Sequence, residues 1–159
     1  MKTLIMKQFE TDETWAPVVL RVMMGLVMFP HGAQKLLGWY GGMGFSKTME
    51  MFTGNGMPWV IAFLVIIGES IGMLSLIAGF MTRFCAASLI IIMMGAIGLA
   101  HLQHGFFMNW FGKQGGEGYE YHLLVIAICL ALTITGGGRN SVDGMLAKKC
   151  KACGEPDEK

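Results

Sequence analysis

The sequence predicts an all-α protein: a membrane-embedded four-helix bundle with both termini in the cytoplasm. Apolar residues make up 53% of the 159 positions and charged residues only 14%, against roughly 25% charged in an ordinary soluble domain. The charges are also excluded from long windows, since Asp, Glu, Lys and Arg are absent from 51–68, 70–82, 84–112 and 121–138. Because about 20 mostly apolar residues cross a bilayer, this distribution favours membrane-spanning helices.

Four segments have the length and composition of spans, near residues 16–37, 58–80, 83–104 and 120–137. Pro58 stands near a predicted helix start, where its missing N–H costs nothing. The short connection from Gly79 to Thr82 makes the second and third helices antiparallel neighbours. Glycines at 136–138 end the fourth helix, because a left-handed cap favours Gly. A soluble bundle would need polar outer faces, which the second and third segments lack.

Lys and Arg in the connecting segments predict the orientation, because cytoplasmic loops carry an excess of both. One side of the predicted bundle holds eight of them and the other side three. The eight are Lys2, Lys7, Arg83, Arg139, Lys148, Lys149, Lys151 and Lys159, and the three are Lys35, Lys47 and Lys113. This predicts a cytoplasmic segment 1–15, a transmembrane domain 16–143 and a polar cytoplasmic tail 144–159. The net charge of +1 suggests no nucleic-acid partner, so the lipid bilayer is the expected environment.

Two charges lie deep in the predicted spans. A charge at the bilayer centre costs between roughly 3 and 10 kcal/mol unless it is paired. Glu69 lies near the middle of the second span and Arg21 lies in the first. We therefore predict a buried Arg21–Glu69 ion pair, which could be purely structural.

A second group of polar residues gathers toward the outer side of the predicted bundle. The candidate binding residues are His31, Lys35, His101, His104 and Glu120, and His122 lies at the same level. Residues 31 and 35 are one turn apart and share a helix face, as do 101 and 104. A bland alternative remains open: Lys35 can snorkel to the headgroups, and the histidines can belong to an aromatic belt with Phe106, Trp110 and Tyr121.

Several stretches carry a family resemblance. They are RVMMGLVMFPHGAQKL, GMP at 56–58, GESIGMLSLIAGFMTR and YEYHLLVIAICLALTITGGGRNSVD. Together they resemble the DoxX family of small four-helix membrane proteins over residues 18–143. The resemblance implies a multi-pass protein of the bacterial inner membrane, associated with quinone-linked redox chemistry. The positions that match are Arg21, His31, Gly32, Lys35, Glu69 and Glu120.

Quinone binding gives these residues a chemical role. His31 and Lys35 can donate to the quinone carbonyls, and His101 or Glu120 can relay protons. Such a protein could be a subunit of a quinone oxidoreductase, with a partner redox subunit or a second copy of itself. One alternative is a metal site built from His31, His101, His104 and Glu120, because imidazole and carboxylate suit divalent transition metals. Another is a non-catalytic assembly or transport protein.

The tail contains a CxxC pair, Cys150 and Cys153. A closed structural zinc site needs four ligands, and the tail provides two. The pair is therefore interpreted as free thiols, half of an intermolecular metal site, or a redox dithiol.

Overall fold

The computed structural model describes residues 8–152, and within this range the chain forms six α-helices and no β-strand. The helices are α1 (Ala16–Leu37), α2 (Gly44–Gly54), α3 (Trp59–Ala78), α4 (Thr82–Ala96), α5 (Glu120–Thr135) and α6 (Val142–Ala152). A π-helical turn, Ile97–His101, and a 3-10 turn, Leu102–His104, continue α4. A 3-10 turn, Trp39–Gly41, follows α1. The predicted helical class is confirmed.

Three helical stretches are long and apolar enough to cross a membrane: Ala16–Leu37, Trp59–Ala78 and Thr82–His104. The fourth predicted span is also an apolar helix, α5, but it has only 16 residues. Large apolar side chains such as Ile91, Leu99 and Ile134 face outward. A surface of this kind suits lipid and not water, so the chain is a membrane protein. Four crossings and cytoplasmic termini stay predictions.

Helices α1 and α3 form the most extensive helix contact, and two glycines make it possible. A Cβ atom added to Gly32 would collide with the backbone carbonyl of Glu69 and lie 2.8 Å from the Cα of Ser70. One added to Gly25 would collide with the side chain of Ile77. In lipid, such close approach replaces the hydrophobic drive to helix association.

Two apolar cores fill the bundle. The larger lies between α1, α3, α4 and α5 and contains Met24, Met28, Met73, Leu76, Ala86, Leu89, Met93, Val125, Cys129 and Leu132. The smaller is made by Met49, Ala62 and Ile66, against which Leu36, Phe45, Phe52 and Phe63 pack. Helix α2, which the sequence did not predict, supplies Met49 and covers one end of the α1–α3 contact.

Polar contacts hold the end of the bundle where α3 joins α4. The carboxylate of Asp143, in the unpredicted helix α6, accepts hydrogen bonds from the backbone N–H groups of Met81 and Thr82, each at 2.8 Å. Arg83 donates to the carbonyls of Thr133 (2.5 Å) and Ile134 (2.8 Å). The arginine thus satisfies the last carbonyls of α5, where a cation is also favourable to the helix dipole.

A surface ion pair links the chain before α1 to α6. Lys148 Nζ lies 2.6 Å from Glu13 Oε1. This hydrogen bond, with the attraction of the Lys148 charge, lowers the pKa of the Glu13 carboxyl. Both side chains are exposed, so the pair contributes little to stability.

Candidate functional site

A partly buried ion pair lies where α1 and α3 approach most closely. Lys35 Nζ donates to Glu69 Oε2, and the Glu69 side chain is only 6% exposed. The small size of Gly32 allows this contact, because it lets the backbone of α1 reach the turn of α3 that carries Glu69. Ser70 Oγ lies 3.1 Å from the carbonyl of Gly32 and 2.7 Å from that of Ile66, and so fixes the same crossing.

The predicted Arg21–Glu69 pair is wrong. Arg21 Nε donates to the carbonyl of Gly137 at 2.7 Å and Nη2 to that of Asn140 at 3.2 Å, while Nη1 donates to Ile77. The antiparallel register of α1 and α3 sets Arg21 opposite the C-terminal end of α3, and Glu69 opposite Lys35. The arginine thus satisfies helix-end and loop carbonyls, which is a structural role.

Aromatic and imidazole rings extend from the ion pair toward α4 and α5. The ring centroids of His31 and Tyr121 are 6.3 Å apart, and those of Tyr121 and His122 are 5.8 Å apart. His101 and His122 are closer, at 4.1 Å. His31 lies one helical turn before Lys35 on α1. The residues His31, Lys35, Glu69, His101, Tyr121 and His122 are called the polar cluster below.

His122 is the most buried histidine of the polar cluster. It is 8% exposed, and its Nδ1 has no hydrogen-bond partner among the described residues. An unpaired buried nitrogen costs free energy and is a common sign of a functional site. His122 was not among the predicted binding residues. The available signal was its spacing of two from Glu120, which directs the two side chains to different sides of α5.

His101 reaches His122 from the π-helical turn that ends the third apolar stretch. Its Nδ1 lies 2.8 Å from the carbonyl oxygen of Glu117, so Nδ1 carries the proton, because a carbonyl only accepts. Such π turns are frequent at functional sites. His31, by contrast, is exposed, which makes the polar cluster accessible from outside the helix bundle.

Glu120 and His104 do not join the polar cluster. Glu120 Oε1 accepts hydrogen bonds from the backbone N–H of Met108 at 2.9 Å and from Trp110 Nε1 at 3.4 Å. His104 lies against Gly115 and Gly116. Both residues therefore organise the loop between α4 and α5, a local role that their membership of the predicted outer group did not reveal.

The structure does not bring together the ligands that the metal alternative requires. Within residues 8–152, no three His, Cys, Asp or Glu side chains are arranged to hold a metal ion. The separation of Glu120 and His104 from His31 explains this result. In the tail, Cys150 is exposed and forms no disulfide with another described cysteine. Cys153 lies outside the described residues, so the CxxC interpretation stays a prediction.

An apolar groove also lies along α1 and α3. It has a volume of about 70 Å³ and is lined by residues that include Phe29, Gly32, Leu36, Ser70 and Leu74. Lys35 and Glu69 do not line it. The groove is therefore separate from the polar cluster.

The fold and the site together define a helical membrane protein with a buried ion pair and an imidazole cluster between its helices. The DoxX family model matches residues 16–102, and the chain belongs to the DoxX family. It is 30% identical over 116 residues to a protein of Bacillus subtilis (strain 168) named "Putative oxidoreductase CatD"; the match covers 73% of this chain and 77% of that protein. No solved structure matches the chain significantly.

Proposed function

We propose that the chain is an integral membrane subunit of a quinone-linked redox system. It crosses the bacterial inner membrane four times, with both termini in the cytoplasm. The polar cluster then lies toward the outer face, and it binds the head group of a quinone or quinol. The electrons pass to or from a partner redox subunit.

The Lys35–Glu69 pair, in which Glu69 is buried and Lys35 is 25% exposed, is the observation that carries this proposal. Removing two charges from water costs several kcal/mol per ion, and ionisable groups inside a membrane are by default candidates for function. A structural pair needs no exposed histidine beside it, yet His31 lies one helical turn away and is accessible. His122 adds a buried nitrogen that has no hydrogen-bond partner in the described part of the chain.

The polar cluster has the chemistry that a quinone head group requires. The ammonium of Lys35 and the imidazole of His31 can donate to a quinone carbonyl. The imidazoles of His122 and His101 can exchange protons with the ligand and the outer loop. The chain is similar to a protein named as an oxidoreductase, and this similarity supports the assignment.

Quinone affinity of purified variants tests the proposal. His31→Ala and Lys35→Met are each expected to weaken the binding of a short-chain quinone, because each removes one donor to a buried acceptor. Such a loss typically costs about 1–3 kcal/mol, or roughly five- to 150-fold in affinity. Lys35→Arg is expected to weaken binding as well, because a planar guanidinium does not replace a compact ammonium.

Lys47→Met is the matched control, because it removes an exposed lysine of α2 that is remote in sequence from the cluster residues of α1. It is expected to bind the quinone like the parent. His104→Ala is a second control, since the structure places His104 in the loop. If His31→Ala and Lys35→Met bind the quinone like Lys47→Met, the two residues are not part of a head-group site.

A further inference from the structure

The loop of residues 105–119, between α4 and α5, carries an unusual concentration of exposed aromatic side chains. Phe107 is 67% exposed, Trp110 80% and Phe111 87%. Large aromatic side chains in folded proteins are on average mostly buried, and water is a poor environment for three exposed ones together. The loop therefore needs an apolar neighbour that residues 8–152 do not supply.

Internal hydrogen bonds hold this loop in one shape. Asn109 N–H donates to Glu117 Oε2 at 2.8 Å, and the Asn109 and Gln114 residues exchange two further bonds of 3.0 Å. Glu120, at the start of α5, accepts from Met108 N–H and from the indole of Trp110. The aromatic side chains are thus presented by a preformed loop, and little ordering is needed when they are covered.

One of these hydrogen bonds engages the acidic group of the loop, which stays exposed. Glu117 is the acidic residue of the 105–119 segment, and its carboxylate is turned toward Asn109. The indole N–H of Trp110 is also directed inward, to Glu120. The exposed side chains of the loop thus combine the apolar rings with Gln114, Glu117 and the basic Lys113. Aromatic rings and a lysine are the combination found at the headgroup level of membranes.

The length of α5 indicates that the apolar neighbour of the 105–119 loop is the lipid bilayer. With 16 residues, α5 is about 24 Å long, whereas the hydrocarbon core is about 30 Å thick. Its C-terminal carbonyls are bound by Arg83, a charged residue at the start of α4, so this end lies at the membrane boundary. The missing length therefore falls at the N-terminal end of α5, which the 105–119 loop adjoins.

We propose that the 105–119 loop inserts Phe107, Trp110 and Phe111 into the outer leaflet, at the boundary of headgroups and acyl chains. The loop completes the short fourth span. This inference rests on the four-crossing topology proposed above, but it does not depend on quinone binding.

Fluorescence quenching tests this insertion. The variant keeps Trp110 and carries Trp15→Phe, Trp39→Phe and Trp59→Phe, and it is reconstituted in phosphatidylcholine vesicles. Lipids brominated near the headgroup are expected to quench Trp110 more strongly than lipids brominated near the chain end, and external iodide is expected to quench it weakly. A second variant adds Trp110→Phe and Lys113→Trp, whose tryptophan is expected to be more accessible to iodide than Trp110.

Strong quenching of Trp110 by iodide, without quenching by brominated lipid, places the loop in water and overturns the inference. If neither iodide nor brominated lipid quenches Trp110, then protein covers the loop, and the inference of insertion is overturned as well. With Cys150→Ser and Cys153→Ser also introduced to remove the thiols of the tail, labelling of Lys113→Cys by a membrane-impermeant thiol reagent from the cytoplasmic side alone would overturn the topology. A wrong topology can be distinguished from a failure of insertion, because the brominated lipids report the depth of Trp110 whichever side of the membrane the loop is on.

Discussion

Glu69 and Lys35 form the clearest side-chain pair in the structure, and their contact is partly buried, with Glu69 the more buried partner. Removal of one member of a buried ion pair leaves an uncompensated charge, which costs about 3–5 kcal/mol, whereas replacement of both by apolar residues is often nearly neutral. A Lys35–Glu69 pair and an Arg21–Glu69 pair therefore predict different effects of single and double substitutions on stability.

We predict that Glu69→Leu strongly destabilises the protein and that Lys35→Met added to it restores much of the stability. The reason is that Lys35, and not Arg21, is left without its counterion. Thermal unfolding in detergent measures this. In a double-mutant cycle, Lys35 and Glu69 are expected to show coupling, while Arg21→Met and Glu69→Leu are expected to be additive. Coupling of Glu69 to Arg21 instead would contradict the observed contacts.

Gly32 supports the ion pair through its lack of a side chain. We predict that Gly32→Ala destabilises the protein by about 1–3 kcal/mol, the usual cost of overpacking, because the new Cβ would collide with the carbonyl of Glu69. Gly95→Ala is the matched control, since a Cβ there meets no atom within 4 Å. Equal melting temperatures of the two variants would show that the α1–α3 contact is less tight than the structure indicates.

The partner of Glu69 could not be predicted from the sequence because helical periodicity fixes a face and not a depth. Arg21 and Lys35 lie on one stripe of α1 but are 14 positions apart, about 21 Å along the axis. Only the register of α1 against α3 selects between them. Gly32, the residue that sets this register, was visible in the sequence as a small residue, but its partner turn on α3 was not.

Among the helices, α4 depends on a residue from outside its own segment. Asp143 accepts the first N–H groups of the turn that begins α4. We predict that Asp143→Ala destabilises the protein by about 1–2 kcal/mol, as for loss of a helix cap, and that Asp143→Asn costs less because one amide oxygen can still accept. Thermal unfolding is the measurement, with Glu13→Gln, which removes an exposed ion pair, expected to melt like the parent. An unchanged Asp143→Ala variant would refute the cap.

The apolar helices were predictable from the sequence, whereas the shorter elements were not. The four predicted spans end within a few residues of α1, of α3, of α4 with the turns that continue it, and of α5. Helices α2 and α6 have 11 residues each and a mixture of polar and apolar residues, so their stability comes from packing on the bundle and not from local propensity. The π turn before His101 has no sequence signal either, and it brings His101 to His122.

The orientation of the whole molecule in the membrane follows from the Lys and Arg distribution. We predict that a reporter fused after Lys159 is cytoplasmic and that one inserted at residues 112–118 is external, because eight basic residues stand on one side and three on the other. Paired reporters active on opposite sides of the membrane measure this. An external C-terminus would reverse the orientation and place the polar cluster toward the cytoplasm.

The central claim, that the polar cluster holds a quinone head group, is tested most directly by mapping where the ligand binds. The full chain in vesicles is irradiated with a quinone that carries a photoreactive group on its ring, and the labelled peptides are identified by mass spectrometry. The account predicts label in α1 near His31 and in α5 near Tyr121 and His122, lost when unlabelled quinone competes. Label that resists competition and spreads over the lipid-facing helices would contradict it.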